Sequence, residues 1–200
     1  MQTIMITGCS SGFGLETARY FLEQGWKVIA TMRAPQEGVL PASDRLRLVR
    51  LDVTSAQSIA EAIAEVGEID VLVNNAGVGM LNALEGAPRE AIANLFATNT
   101  LGTIAMTQAV IPRFRERRSG TIVNITSAVT LQPMPLLAVY TASKAAVNAF
   151  TESLALELRA FNIRVGLILP GRAPPTRVGD GAAPGELCGA RPADLRQHAG

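Results

Sequence analysis

Short, nearly continuous apolar runs alternate with longer amphipathic segments as far as Pro170. This alternation constrains the fold more than any other feature of the chain. The runs at 3–7, 27–31, 46–51, 71–74, 120–126 and 163–169 are rich in Val, Ile and Leu. Such runs suit strands buried on both faces, as in a parallel sheet. Between them, residues 13–24 form an amphipathic segment that stops at Gly25, a helix C-cap signal. Residues 55–66 start at a capping residue, Thr54 or Ser55, and stop at Gly67. The pattern from Pro88 to about Arg117 predicts one long helix with Pro88 in its first turn, and 139–160 predicts another. Strands and helices alternating at this spacing predict an α/β fold. The expected architecture is a Rossmann-type doubly wound parallel sheet of about six strands in three αβα layers.

Composition narrows the function classes. With 48% hydrophobic and 18% charged residues the chain is globular. A net charge of +1 gives no electrostatic case for nucleic acid or an anionic membrane, and 4% aromatic residues offer no base-stacking platform. No apolar run approaches the ~20 residues that span a bilayer. The two cysteines, Cys9 and Cys188, stand in unrelated contexts, and neither they nor His198 has metal-ligand spacing, so no metal site is expected. A reducing, cytoplasmic compartment is the expectation.

Chemistry is concentrated at three places. The first is Thr7-Gly8-Cys9-Ser10-Ser11-Gly12-Phe13-Gly14, placed between the first strand and the first helix. Gly8 permits a tight turn, Gly12 lets backbone approach a pyrophosphate, and Gly14 lets the helix sit close to the sheet. The helix N-terminus adds free N–H groups and a positive dipole end for phosphates. The spacing is G-x-x-x-G-x-G, which differs from the G-x-G-x-x-G fingerprint. The second place is the ends of strands two and three. No carboxylate appears at the end of the second strand, Ala30-Thr31-Met32-Arg33, and Arg33 stands where a 2′-phosphate would lie, which favours NADP over NAD; the competing reading makes Arg33 a solvated loop residue. Asp52, followed by Val53, either bonds an adenine amino group or caps the following helix. The third is Tyr140-Thr-Ala-Ser-Lys144, with Ser127 upstream. Positions i and i+4 share a helix face, and a cation beside a phenol favours its ionised form and suits it to acid–base work.

Taken together in this order, Thr7–Gly14, Asp52, Asn74-Asn75-Ala76-Gly77, Asn99, Ser127, Tyr140-x-x-x-Lys144 and Pro170-Gly171 resemble the short-chain dehydrogenase/reductase family over residues 2–171. The resemblance implies an NAD(P)-dependent oxidoreductase that moves a hydride between a nicotinamide cofactor and a carbonyl or secondary alcohol. It implies Tyr140 as general acid or base. Lys144 would assist Tyr140 and bind the nicotinamide ribose, and Ser127 would bond the substrate oxygen. Asn99 would hold a water in a proton relay. Ser10, Ser11 and Phe13 in the glycine turn, Asn75, Ala76 and Gly77 near the adenosine ribose, and Pro170 and Gly171 complete the implied cofactor site. It also implies a homodimer through the two long helices.

The pattern departs after Gly171. Residues 172–200 are rich in Gly, Pro, Ala and Arg, and Thr176 lies later than a cofactor-amide threonine of the family. The expectation is a dinucleotide-binding domain over 1–171 and an atypical, poorly ordered tail. The tail suggests a truncation or frame change that removes the family's lid, last strand and closing helix. The alternative function is therefore a dinucleotide-binding protein with impaired or no catalysis.

Overall fold

The computed structural model describes residues 1–171. The expected tail, with Thr176, Cys188 and His198, lies outside the described residues. Six strands, β1 (Thr3–Thr7), β2 (Lys27–Met32), β3 (Leu46–Arg50), β4 (Val71–Asn74), β5 (Gly120–Ile125) and β6 (Ile163–Ile168), form one sheet in the order β3-β2-β1-β4-β5-β6. Every neighbouring pair is parallel. The chain winds outward from β1 to β3, then returns to place β4 on the other side of β1. That reversal opens a crevice at the carboxyl ends of β1 and β4.

Residues alternate across the sheet as the pleat requires. Met5, Ile29, Leu72 and Ile122 point to one face and meet Ile59 and Ala62 of α2 (Ala56–Val66), Met106, Val110 and Phe114 of α4 (Gly102–Glu116), and Leu154 and Leu158 of α5 (Ala138–Leu158). Ile4, Ile6, Val28, Ala30 and Val73 point to the other face and meet Leu15, Ala18 and Leu22 of α1 (Gly12–Glu23). Burying each such side chain contributes about 1.5–3 kcal/mol, so both helical layers are held chiefly by this apolar contact. Among the described residues α1 is the one helix contributing to the second face, and Ile168 at the β6 end remains 51% exposed.

Strand limits fall within a residue of those read from the sequence. The helix expected from Pro88 to Arg117 is divided. It consists of α3 (Arg89–Phe96), a π-helical segment over Ala97–Leu101, and α4. Pro88 precedes the first turn as its N-cap, with ψ 135°. The wider π turn coincides with Asn99, whose side chain leaves the helix to bind backbone elsewhere; such bulges often mark functional positions. The helix expected over 139–160 stops at Leu158 and tightens into a 3₁₀ turn over Arg159–Phe161, which Asn162 ends with φ 57°. At α2 the cap is Ser55, whose Oγ accepts from Ser58 N at 3.2 Å.

A polar ladder crosses the core behind the crevice. Asn74 Nδ2 donates to Asn124 Oδ1 at 2.8 Å and to Thr107 Oγ1 at 2.9 Å. Asn124 Nδ2 donates to Thr151 Oγ1 at 2.8 Å. These bonds tie the ends of β4 and β5 to α4 and α5 and satisfy the buried amide groups, apart from Asn74 Oδ1, which has no partner among the described residues.

Candidate active site

A cleft of about 740 Å³ runs along the carboxyl ends of the strands and brings the three sequence clusters together. Gly8, Ser10, Ser11, Gly12 and Phe13 line one part, with Arg33, Asp52 and Val53 beside them. Asn75, Ala76 and Gly77 form its middle. Ser127, Tyr140, Lys144, Pro170 and Gly171 line the other end. Gly14 and Asn99 stand behind the wall and do not line it.

The glycine turn is built by close approach. Gly8 has φ +74°, and a Cβ there would lie 2.8 Å from the Ala76 Cα. Gly12 has φ +61° and open space where a Cβ would stand, so its backbone faces the cleft bare. Gly14 has ordinary helical backbone, yet a Cβ on it would meet the Gly8 carbonyl oxygen and Asn75 Nδ2, each at 2.3 Å. Its role is close helix packing, as expected. Ser11 precedes α1 without a side-chain cap, which leaves the first-turn N–H groups facing outward at the cleft.

Thr7 and Asn75 lock this turn to β4. Thr7 Oγ1 accepts from Asn75 N at 3.0 Å and from Ala76 N at 2.9 Å. Asn75 Nδ2 returns bonds to Thr7 O at 2.8 Å and Gly8 O at 3.1 Å. Asn75 thus shapes the phosphate-type turn as well as lining the cleft, a role its sequence position did not suggest.

At the ends of β2 and β3, Asp52 does not cap α2; Ser55 does. Asp52 Oδ1 instead accepts from Thr54 N at 2.9 Å and Thr54 Oγ1 at 2.7 Å. These bonds, aided by Arg33 and Arg50, hold its carboxyl below the usual range. Arg33 is exposed and lines the cleft beside it. Cys9 is buried against Ile6 O, and burial pushes its thiol up to about 12, so it is inert structure within the turn.

At the other end, Tyr140 and Lys144 share one face of α5. Lys144 is 5% exposed, and its Nζ donates to Ile125 O at 3.0 Å. Burial lowers its ammonium to about 8. Asn99 is 1% exposed. Its Oδ1 accepts from Val78 N at 2.8 Å, and its Nδ2 donates to Val78 O at 2.9 Å and to Ser143 Oγ at 3.1 Å. It thereby pins the segment after Gly77 to α5. A Cβ on Gly77 would stand 3.2 Å from both Asn99 Oδ1 and Lys144 Nζ, so glycine keeps this corner open. Ser127 Oγ accepts a long bond from Val129 N at 3.4 Å, which leaves its own proton free. Asn94 and Thr98 also line the cleft. Their helical i, i+4 spacing on the face that meets the strand ends was the available signal.

A family model described as short chain dehydrogenase matches residues 2–182. The chain is 42% identical over 174 residues to a 3-ketodihydrosphingosine reductase of Bacteroides thetaiotaomicron, covering 85% of this chain and 63% of that relative. It is 42% identical over 182 residues to retinol dehydrogenase 8 of Bos taurus, covering 85% of this chain and 58% of the relative. The chain therefore spans about three fifths of the length of these relatives. The closed form of a serine dehydrogenase complexed with NADP+ superposes with a TM-score of 0.79 at 36% identity, covering 85% of this chain and 72% of that one.

Proposed function

The chain belongs to the short-chain dehydrogenase family, and from that premise we propose that it is an oxidoreductase acting on a carbonyl or alcohol carbon with a nicotinamide dinucleotide. The observation that carries this reading is the single cleft that has the glycine turn at one end and Ser127, Tyr140 and Lys144 at the other. A dinucleotide fits the residues present. Gly12 offers bare backbone, Gly77 has no Cβ to crowd Lys144, and the α1 N-terminus has unpaired donors. Ser10 to Phe13 would hold the pyrophosphate, Asp52 and Val53 the adenine, and Asn75 to Gly77, Tyr140 and Lys144 the riboses, with Pro170 and Gly171 beside the nicotinamide. Arg33, with no carboxylate at the end of β2, favours NADP. When bound, the cofactor supplies or accepts the hydride.

The protein's own part is proton handling and charge stabilisation. In reduction, Tyr140 gives its phenolic proton to the substrate oxygen; in oxidation it takes that proton back. Ser127 donates its free hydroxyl proton to the same oxygen as charge develops there. Lys144, its ammonium lowered by burial to about 8, holds a cation in the wall and passes protons toward Tyr140. Asn99 holds the floor of this relay by fixing Val78 and α5.

The segments that adjoin the cleft lining, after Gly79 and before Tyr140, suit an apolar substrate body. Residues 78–84 and 131–139 contain no charged residue. Leu81, Leu131 and Met134 are 53%, 76% and 56% exposed, and Asn82 N donates to Leu136 O at 2.9 Å to join the two segments. The names of the two relatives above, a 3-ketodihydrosphingosine reductase and a retinol dehydrogenase, point the same way. We place the protein as a homodimer through α4 and α5.

The test follows nicotinamide absorbance with NADPH and NADH against ketones of increasing apolar size, comparing the wild type with Tyr140→Phe. The expected result is turnover, faster with NADPH, that Tyr140→Phe lowers by about 10²-fold or more, the scale of general acid–base catalysis. Equal background rates in both proteins, with dinucleotide still bound, would establish the binding-only alternative.

A further inference from the structure

Ser127 is held by a second connection to the helix that carries Tyr140 and Lys144. The Ser127 carbonyl accepts from Thr130 N at 3.1 Å and from Thr130 Oγ1 at 2.9 Å. Thr130 Oγ1 in turn accepts from Asn148 Nδ2 at 2.9 Å. Asn148 is one turn beyond Lys144 and two turns beyond Tyr140, so all three stand on one face of α5.

The direction of these bonds is informative. A threonine hydroxyl has one proton. With Asn148 donating to its oxygen, that proton is directed to the Ser127 carbonyl. Asn148 Oδ1 is buried and has no partner among the described residues, so the amide's one bond in this arrangement goes to Thr130.

From this geometry we propose that Thr130 and Asn148 are positioning residues for Ser127. They form a strut from α5 to the turn after β5, so that the hydroxyl, the phenol and the ammonium are referenced to one rigid helix. The strut leaves the Ser127 hydroxyl itself untouched, since among the described residues that group meets Val129 N alone. The proposal rests on the reading of Ser127 given under the proposed function.

The test compares Thr130→Val, which keeps the shape and removes the hydroxyl, with Thr130→Ser, which restores it. Asn148→Ala and the double variant Thr130→Val/Asn148→Ala complete a cycle. In the full chain, Thr130→Val lowers kcat by about tenfold or more, because misplacement by ~1 Å costs up to about a hundredfold. Its KM and its dinucleotide Kd stay within about twofold, and Thr130→Ser recovers most of the loss. Asn148→Ala acts in the same direction, and the double variant loses no more than Thr130→Val alone, as members of one chain of bonds must. Hydrogen exchange at the Thr130 amide supplies a readout independent of turnover: it accelerates in Thr130→Val and not in Thr130→Ser. Additive losses, no rescue by serine, or unchanged exchange would overturn the strut. A wild type that turns over no carbonyl would overturn the oxidoreductase reading instead, while the exchange measurement would still judge the strut. Should Thr130→Val fail to fold, Asn148→Ala and Thr130→Ser carry the same comparison.

Discussion

Lys144 carries its charge where burial disfavours it, and this sets a measurable pH dependence. Its ammonium falls from 10.5 to about 8. At about 1.4 kcal/mol per pH unit, that fall costs the folded state about 3 kcal/mol. Below pH 8 both folded and unfolded chains hold the proton, and the cost is present in full. Between about 8 and 10.5 the folded chain releases its proton first, so the contribution to stability rises with pH; above both values the cost is gone. Lys144→Met removes the charge. The variant should be more stable than the wild type at pH 7 by about 1–3 kcal/mol, after allowing about 1 kcal/mol for the lost bond to Ile125 O. The gap should close by about pH 10. Urea unfolding of both proteins at the two pH values measures this, and a gap that stays constant with pH would show that the lysine is not the group responsible. A residue kept at such a cost has a task that uses a cation or a mobile proton, in keeping with its position beside Tyr140.

Among the elements, α1 shows how one residue sets the distance between a helix and a sheet. Gly14 lies where a methyl group would press on the Gly8 carbonyl and the Asn75 amide, both part of the turn that faces the cleft. Gly14→Ala should cost about 1–3 kcal/mol, the usual range for overpacking, and should weaken dinucleotide binding by shifting the turn. Denaturant midpoints and cofactor titration together check it; an unchanged midpoint would mean that the helix has slack. The sequence made this contact legible because a glycine turn between a strand and a helix has few physical explanations. The strands were legible to within a residue because a sheet covered on both faces demands unbroken apolar runs. The break in the helix after Pro88 was not. Residues 88–117 have acceptable helical pattern throughout, and the π turn arises from Asn99 reaching Val78, a contact with no local signature. Asp52 likewise kept two readings open, because a carboxylate between a strand end and a helix start suits an adenine contact or a helix cap equally. Neither the bond from Asn75 to the glycine turn nor the strut from Asn148 has a sequence spacing that betrays it, since each joins residues far apart in the chain.

On the scale of the whole molecule, the remaining question is what α5 does with its outer face. Its inner face is spent on the core through Val147, Leu154 and Leu158, and on the cleft through Tyr140 and Lys144. Its outer face exposes Ala142, Ala145 and Ala149, then Glu152 and Ser153, and then Leu156 at 75% exposure, along one side. Small side chains at this spacing let a second helix approach closely, and a large exposed leucine at the end of the stripe gains from being covered. A two-fold pairing of α5 with its copy, supported by α4, would bury this stripe against itself, as isologous interfaces do. Light scattering of the full chain should then give twice the mass of one chain. Ala149→Glu places a carboxylate at the centre of that contact and another from the copy against it, so the variant should be monomeric. Its fold and dinucleotide affinity should be retained, because residue 149 is exposed and faces away from the cleft. A wild type that is monomeric at all concentrations would refute the interface. A dimer that survives Ala149→Glu would place the interface on another face.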